Sequence, residues 1–339
     1  MGTTIEDVAK KAGVSITTVS AVINESRYVS PELTERVERA VEELNYHPDQ
    51  LGRGLRKGQS NAIGLLVSDI TNPFFPKVAR GVEDCVRENH YNLILCNTDE
   101  DPVEERHYIS LLRSQRVDGI IIAPTTEGAD NIGSLAEDSI PVVLIDRSLN
   151  GCNLPEIVSD NYSGAYRAVE YLLDRGHVHI GFISGLEGIN STDRRLAGYR
   201  DALTDRGLDF KEEYVVSGNS QISESYQGTG RLLDRTEKIT AIFAANNLML
   251  IGVLRYLKDN SISYPEEISV ICFDDTEWGN AVNPGITSVA QKPYEIGYKA
   301  GKVVFAVISD RENEKNPKKQ VVLPTKLVKR DSVRDLQAK

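Results

Sequence analysis

Hydrophobic and polar positions recur with a helical period over the first part of the chain. Apolar side chains spaced three and four residues apart make one face of a first helix at Ile5, Val8, Ala9 and Ala12. Thr4 is placed to cap this helix with Asp7 completing a capping box, and Gly13 ends it.

A second helix follows Ser15, with its buried side at Val19, Val22 and Ile23. A third opens at Ser30-Pro31-Glu32 and carries inward Leu33, Val37, Ala40, Val41 and Leu44. The pattern predicts a small three-helix bundle.

The outward face of the second helix differs from that of an ordinary surface helix. Its predicted outward residues are short or uncharged, namely Ile16, Thr17, Ser20 and Ala21. A helix that merely faces water carries Lys and Glu on that side, and this one does not. Because short uncharged side chains allow close approach to base edges, the pattern favours a helix-turn-helix over a plain helical hairpin.

After residue 60 the apolar pattern changes to short β-rich runs separated by amphipathic helices. A first set of strands is predicted at 63–67, 93–95, 119–122 and 142–145, with helices at 73–89 and 103–114. A second set repeats the pattern, with strands at 180–183, 240–244 and 268–273 and helices at 191–206 and 248–258. Three further apolar runs follow at 286–289, 321–323 and 326–328. The alternation predicts two similar lobes, each a doubly wound parallel sheet.

Polar and aromatic residues follow several of these strands, or open a helix near them. They are Asp69, Asn72, Phe74, Phe75, Asp146, Arg147, Arg195, Asn246, Asp274 and Gln291. Ligands of open α/β sheets bind beyond the carboxyl ends of the strands, which makes this set the candidate binding site. Carboxylates, guanidinium groups and amides pair with vicinal hydroxyls, and Phe rings cover the C–H face of a sugar. Taken singly, each residue also fits a helix cap or a turn.

Composition narrows the class of protein. The chain of 339 residues is 40% hydrophobic with no long apolar run, so we expect two or three soluble domains and no membrane partner. The absence of a basic-then-apolar leader favours the cytoplasm. Residues 1–58 carry eight basic and nine acidic side chains, so most of the net charge of −11 belongs to the rest of the chain. The basic stretch Arg53-Gly-Leu-Arg-Lys57 keeps a cationic DNA face possible.

Enzyme motifs are missing from the sequence. No Gly-x-Gly-x-x-Gly, phosphate-binding loop or Gly-x-Ser-x-Gly elbow is present, so we expect no enzymatic activity and no cofactor. Four cysteines without paired spacing suggest buried thiols and no metal site: Cys85, Cys96, Cys152 and Cys272. Five histidines are expected at the surface: His47, His90, His107, His177 and His179. The main alternative to a DNA-binding protein is a sugar-binding receptor without DNA function. The N-terminal three-helix bundle and the missing leader disfavour this alternative.

Two stretches carry a family resemblance. Val14-Ser-x-Thr17-Thr-Val-Ser-x-Val-Ile-Asn24, followed by Tyr28-Val-Ser and Leu44-Asn-Tyr-His-Pro48, resembles the lactose-repressor family of bacterial transcription regulators. The resemblance implies a homodimer that binds palindromic double-stranded operator DNA and senses a small-molecule effector in a core like that of periplasmic binding proteins. The DNA-contacting residues it implies are Thr4, Ser15, Ile16, Thr17, Thr18, Ser20, Ala21, Asn24 and Leu55. Leu55 matches the leucine that a hinge helix wedges into the minor groove.

The family's domain plan maps onto the whole chain. It implies a headpiece at 1–47, a hinge at 48–60, a first lobe at 61–160 plus 292–322 and a second lobe at 161–291 plus 323–339, with three chain connections between the lobes. Gly52 and Gly54 depart from the commoner alanine-rich hinge and weaken its helix.

The candidate ligand set is similar to that of ribose-repressor and ribose-binding relatives, which implies a ribose-like effector. Two positions depart from their pattern. Ala123 stands where those relatives have an asparagine, and an aromatic wall near Ser220 is absent. Both changes are expected to enlarge the cleft, so a nucleoside or a sugar phosphate is the alternative effector.

Overall fold

The computed structural model describes residues 3–23, 27–46, 60–126, 128–137, 140–149, 151–234, 238–310 and 320–337. The chain divides into two compact units, residues 1–60 and 61–339. Within the described ranges, no helix has both the length and the apolar character needed to cross a membrane.

The first unit contains the three predicted helices, α1 (Ile5–Ala12), α2 (Ile16–Ile23) and α3 (Pro31–Glu43). The capping box is confirmed: Asp7 N donates to Thr4 Oγ1 at 3.3 Å, and Thr4 N donates to Asp7 Oδ2 at 2.9 Å. Ser15 Oγ accepts from Thr18 N at 3.1 Å, which confirms the cap of the second helix. One fully buried valine from each helix meets in the core, at Val8, Val19 and Val37.

Gly13 is required at the turn between α1 and α2 for two reasons. Its φ of 64° lies in the left-handed region that side chains disfavour. In addition, Arg36 reaches back from α3 to donate from Nη2 to Ala12 O at 2.6 Å. A Cβ at Gly13 would lie only 2.7 Å from that Nη2 atom. The turn and the Arg36 cap on the end of α1 therefore depend on the same missing side chain.

One prediction for the headpiece is wrong, and two others lie outside the described residues. Ala21 is 3% exposed, so it does not belong to the outward face of α2. The alanine side chain is a single methyl group close to the helix backbone, so nearby residues of the same chain readily shield it from solvent. Asn24 and Leu55, together with hinge residues 48–59, lie outside the described ranges.

The second unit begins with a six-stranded sheet. Its strands are β1 (Ala62–Val67), β2 (Asn92–Asn97), β3 (Gly119–Ile122), β4 (Val142–Ile145), β5 (Glu156–Ser159) and β11 (Gln320–Leu323). Their order in space is β11-β5-β4-β3-β1-β2, and every neighbouring pair is parallel. Helices cover both faces: α4 (Phe74–Glu88), α5 (Pro102–Ser114), α6 (Gly128–Glu137) and α12 (Pro293–Asp310). Leu65 faces the α4 and α12 layer while Leu66 faces the α5 and α6 layer, as expected for a strand buried on both sides.

A second sheet has the same order. Its strands are β6 (Ile180–Ser184), β7 (Val215–Ser217), β8 (Ala241–Ala244), β9 (Ser269–Phe273), β10 (Thr287–Ala290) and β12 (Lys326–Val328), arranged β12-β10-β9-β8-β6-β7. Its helices are α7 (Asn161–Leu173), α8 (Asn190–Asp205), α9 (Ile222–Leu233), α10 (Asn247–Asp259) and α11 (Glu277–Ala281). Only β12 runs antiparallel to its neighbour. The prediction of two similar doubly wound lobes is confirmed.

The chain passes between the two sheets three times: after β5, after β10 and between β11 and β12. The sequence pattern missed several elements, namely β5, β7, α6, α7, α9, α11 and α12. Strand β7 has only three residues, so its apolar pattern is too short to separate it from a loop. Helix α9 contains Gly228 and Gly230, which lowers its intrinsic helix preference.

Three burial predictions need correction. His179, expected at the surface, is half-buried, and its Nδ1 lies 3.0 Å from the Tyr214 hydroxyl. His177 is 0% exposed, because Thr240 Oγ1 at 3.0 Å and Arg334 O at 3.1 Å satisfy both nitrogens of its ring. Cys152 is half-buried, whereas the thiols of Cys85, Cys96 and Cys272 are buried as expected. His47 lies outside the described residues.

We predict that His177 makes the fold acid-sensitive. Burial lowers the pKa of His177, so the unfolded chain takes up this proton more readily than the folded chain. The stability that the neutral ring contributes is complete above the unfolded pKa of about 6.5 and is lost as the pH falls towards the folded value. The loss reaches at most about 1.4 kcal/mol per pH unit.

Urea unfolding at pH 7.0 and 5.5 measures this effect. His177→Gln should flatten the pH dependence of the free energy of unfolding, while the exposed control His107→Gln should keep that of the wild type. Identical slopes in the wild type and the His177 variant would contradict the assignment.

Candidate functional site

A cleft of about 570 Å³ lies between the lobes, at the carboxyl ends of the strands. All ten predicted ligand residues line it: Asp69, Asn72, Phe74, Phe75, Asp146, Arg147, Arg195, Asn246, Asp274 and Gln291. They come from turns that follow five different strands and from α4 and α8. Parallel strands bring their ends to one edge of each sheet, so residues far apart in sequence meet there.

Asp146 and Asp274 occupy equivalent positions in the two lobes. Asp146 follows β4 and Asp274 follows β9, with φ angles of 65° and 81°. Each backbone N–H donates to the neighbouring strand, to Ile157 O at 3.1 Å and to Val289 O at 3.0 Å. Left-handed backbone at a residue other than glycine is uncommon and clusters at functional sites. The matched pair of turns therefore presents one carboxylate from each lobe to the cleft.

Arg147 binds three oxygen-bearing side chains in the first lobe. Its Nη1 donates to Glu100 Oε2 at 2.6 Å, its Nη2 donates to the other Glu100 oxygen, and its Nε donates to Asp146 Oδ2 at 3.2 Å. Nη2 also donates to Ser68 Oγ at 3.1 Å. Burial by itself lowers the pKa of Arg147, but the carboxylates of Glu100 and Asp146 outweigh burial and raise it. Arg147 is therefore cationic at any physiological pH.

Arg195 supplies the positive charge of the second lobe. Its guanidinium carbon lies 3.9 Å from the centre of the Phe273 ring. Nε donates to Asn161 Oδ1 at 2.8 Å and Nη1 donates to Ala245 O at 2.7 Å. Burial lowers the pKa of Arg195, and the carboxylates of Asp274 and Asp146 oppose that shift. Burial likewise raises the pKa of Asp146 and of Asp274, against the pull of the neighbouring arginines.

Amide side chains orient the carboxylates and tie the lobes together. Gln291 Nε2 donates to Asp274 Oδ1 at 2.5 Å. Asn247 Nδ2 donates between the lobes to Asn72 Oδ1 at 2.9 Å, an oxygen that also accepts from Phe74 N at 3.0 Å within the turn before α4. Asn246 Oδ1 accepts from Met249 N at 2.8 Å and caps α10. Asn72 therefore stabilises a turn and Asn246 caps a helix, the roles weighed against ligand binding from sequence, while both residues line the cleft.

The apolar walls of the cleft differ between the lobes. Phe74 and Phe75 pack edge to face, with ring centroids 5.1 Å apart and an interplanar angle of 86°. The second lobe contributes Leu186, Ile189 and Met249, and among the described lining residues the two aromatic ones, Phe74 and Phe75, belong to the first lobe. Ala123 is fully buried and does not line the cleft, so the expectation that it widens the cleft is not confirmed.

Sequence reasoning missed several lining residues, notably Ser68, Asp99, Glu100, Ser191 and Thr192. The acidic run Asp99-Glu100-Asp101 is a usable signal, since it begins two residues after the end of β2. The predicted strand ends at residue 95, two residues before β2 ends, so the run does not stand out as a strand-end position. Within the described ranges, no group of three or more His, Cys, Asp or Glu side chains is placed to hold a metal ion.

The candidate DNA-contacting residues lie on the headpiece. Thr4, Ser15, Thr17 and Ile16 are exposed, Ile16 at 46%. Thr18 and Ser20 are half-buried, and Thr18 Oγ1 lies 2.9 Å from Ser15 Oγ. With Ala21 buried, the uncharged exposed face of α2 consists of its first turn, which is the part of a recognition helix that reaches base edges in helix-turn-helix proteins.

A capped helix-turn-helix unit and a two-lobed unit with a polar cleft together define a class, the ligand-responsive DNA-binding transcription regulator. Comparisons with known proteins agree. Residues 4–49 match the bacterial regulatory proteins of the lacI family, and residues 169–333 match the periplasmic binding protein-like domain. The ribose operon repressor of Halalkalibacterium halodurans is 36% identical over 334 residues, covering 98% of this chain and 97% of that protein. The chain belongs to the lacI family of transcription regulators and is not an enzyme.

Two solved structures extend the comparison. The lac repressor dimer bound to operator and the anti-inducer ONPF superposes with a TM-score of 0.86 at 26% identity, covering 98% of this chain and 100% of that chain. A LacI family regulator from Enterococcus faecium with bound ribose superposes with a TM-score of 0.73 at 30% identity, covering 81% of this chain and 100% of that chain.

We predict that Arg195 stabilises the fold around the cleft. Arg195→Ala leaves Asn161 Oδ1 and the Ala245 carbonyl without this donor and removes a cation from between Asp146 and Asp274. The free energy of unfolding should fall by about 2–4 kcal/mol, the scale for unpaired buried polar and charged groups. The neighbouring Arg194→Ala, on the exposed side of α8, should change it by less than about 0.5 kcal/mol. Urea denaturation of both variants measures the difference, and equal values would contradict this role.

Proposed function

We propose that this regulator senses a small uncharged sugar, a ribose-like pentose first, in the cleft between its lobes and alters operator binding in response. The observation that carries the proposal is that all ten candidate ligand residues, chosen from sequence, line one cleft. The relatives named above as a ribose operon repressor and as a regulator with bound ribose support the same effector class.

The side-chain chemistry suits a polyol. Asp146 and Asp274 offer carboxylate oxygens from opposite lobes, and Arg195 adds donors beside Asp274. A carboxylate accepts hydrogen bonds from adjacent hydroxyl groups, and a guanidinium group donates hydrogen bonds to them. The Phe74 and Phe75 rings supply a flat apolar surface for the C–H face of the ring. A ligand held by both lobes stabilises the closed arrangement relative to the open one.

The size of the cleft favours a second candidate. The cleft has a volume of about 570 Å³, and the apolar side chains that the second lobe contributes to its described lining are aliphatic rather than aromatic. This space accommodates a larger sugar or a nucleoside. The polar contacts proposed above serve the pentose ring of a nucleoside equally well.

Lobe closure is the proposed route from ligand to DNA. We propose that residues 61–160 with 292–322 move as one lobe and residues 161–291 with 323–339 as the other. Support comes from α12 and β11, which pack on the first sheet, and from β12, which pairs in the second. Asn247 with Asn72, and Lys77 with Glu277 at 3.2 Å, join the lobes at the cleft edge. A ligand that changes these contacts shifts the balance between open and closed states.

The DNA-binding form is proposed to be a homodimer, as in the lac repressor dimer that superposes on 98% of this chain. Two headpieces related by a twofold axis would then read a palindrome through Thr4, Ser15, Ile16, Thr17, Thr18 and Ser20. Asn24 and the Leu55 wedge remain part of the proposal.

We predict that the cleft binds ribose more tightly than hexoses. Calorimetric titration with ribose, a nucleoside and common hexoses tests this. Asp274→Asn should weaken binding by about 2–5 kcal/mol, the scale for losing one partner of a buried charged contact. The exposed Asp259→Asn of α10 is the matched control and should bind as the wild type does. Binding of a hexose alone would refute the pentose assignment, and an unaffected Asp274 variant would refute the site.

We also predict that Thr17 reads sequence while contributing little to the salt dependence of binding. A selected-sequence screen should enrich a palindrome, for which Thr17→Ala should lower affinity by about 1–3 kcal/mol. The slope of log affinity against log salt should stay unchanged, because Thr17 neutralises no phosphate. Thr204→Ala, an exposed threonine of α8, serves as the control in anisotropy titrations. A screen that enriches no palindrome would defeat the proposed operator binding.

A further inference from the structure

Arg147 has no N–H group left for a ligand in this structure. An arginine side chain carries five N–H groups. The protein uses all five: Nε on Asp146 Oδ2, Nη1 on Glu100 Oε2 and Pro124 O, and Nη2 on the other Glu100 oxygen and Ser68 Oγ. The carboxylate of Glu100 occupies both terminal nitrogens side by side, which is the position that a phosphate or a ligand carboxylate takes on a free guanidinium group.

Glu100 is held in this position by the backbone. Asp99 and Glu100 are consecutive residues in the left-handed region, with φ angles of 50° and 60°. Glu100 N donates to Ser68 O at 3.1 Å, so the residue that binds Arg147 through its side chain also fixes Glu100 through its backbone. Asp101 then caps α5, accepting from Val103 N at 2.7 Å. Strained backbone persists only where surrounding contacts determine it, so the Glu100 carboxylate is preorganised.

The rest of the cleft offers an anion little compensation. Its lining contains five acidic residues, Asp69, Asp99, Glu100, Asp146 and Asp274, and two arginines, Arg147 and Arg195. Even with Asp146 and Asp274 both protonated, the acids outnumber the cations. Arg195 is committed to Asn161 and Ala245 through Nε and Nη1. A phosphate entering the cleft is therefore repelled by the acidic side chains, and Arg195 is the lining cation that retains N–H groups to bind it.

We propose that Glu100 is a specificity-determining residue, which fills the guanidinium fork of Arg147 and so restricts the effector to uncharged or cationic polyols. This inference rests on the proposed function of the cleft as the effector site. It separates the candidate effectors: ribose and nucleosides fit, and sugar phosphates are rejected. The Glu100 side chain is 22% exposed, so its carboxylate can also accept a hydrogen bond from a ligand hydroxyl group.

The test uses the full-length protein and three variants. Glu100→Gln removes the charge and keeps a hydrogen-bond acceptor for Arg147, and Glu100→Ala opens the fork. Asp101→Asn is the matched control, since it removes one charge from the same turn, keeps an oxygen to cap α5, and lies outside the cleft lining. The first readout is the shift in thermal unfolding midpoint on adding inorganic phosphate, relative to chloride at equal ionic strength. The second is the ratio of the ribose and ribose 5-phosphate dissociation constants, from calorimetry.

The wild type and Asp101→Asn should show no phosphate-specific shift, while both Glu100 variants should be stabilised by several degrees. The dissociation-constant ratio should move at least tenfold towards ribose 5-phosphate in Glu100→Gln and less than threefold in Asp101→Asn. Stabilisation of the wild type by phosphate, no response in the Glu100 variants, or equal responses at residues 100 and 101 would each overturn the proposal. A wild type that binds no ribose would refute the pentose effector alone, because the phosphate readout contains no sugar.

Discussion

The function of this regulator depends on the geometry of parallel sheets. Parallel strands all end at one edge, and the chain crosses between two sheets of the same strand order three times. The two polar edges consequently line one cleft, where side chains as distant in sequence as Asn72 and Asn247 form a hydrogen bond. No local property of either stretch requires that meeting. It follows from strand order and from the burial of both faces of each sheet.

The cleft holds charges that are almost fully buried, and their mutual pairing makes this possible. Asp146, Arg147, Arg195 and Asp274 are each less than a tenth exposed. Burial of an isolated charge is costly, but here acidic and basic side chains lie near one another and also form hydrogen bonds with amide and carbonyl groups. The acidic residues that line the cleft still outnumber the arginines. A hydroxyl group can donate a hydrogen bond to a carboxylate without adding charge, so a polyol suits this excess of acidic side chains.

The two lobes share a strand order and differ in the side chains that they present to the cleft. Asp146 and Asp274 are equivalent, but Arg147 follows the first and Asp275 follows the second. Asp275 turns away to Arg330, with Oδ1 2.6 Å from Nη1, and to Ser288. The turns after β2 and β7 both contain two residues in the left-handed region, Asp99-Glu100 in one and Asn219-Ser220 in the other. The turn after β2 thus brings a carboxylate to Arg147, whereas the corresponding turn of the second lobe brings neutral side chains to the cleft.

The sequence by itself determined what depends on near neighbours. The Thr4 and Asp7 capping box, the Gly13 turn, the longer strands and the polar residues at strand ends all follow from periodicity and turn chemistry within a few residues. Tertiary structure decided the burial of Ala21 and His177, and it decided the partner of Arg147. Glu100 lies 47 residues from Arg147, and β2 and β4 are not neighbours in the sheet. Their pairing arises only when the folded sheet sets both strand ends at one edge, because charge complementarity acts through space and leaves no periodic trace along the chain.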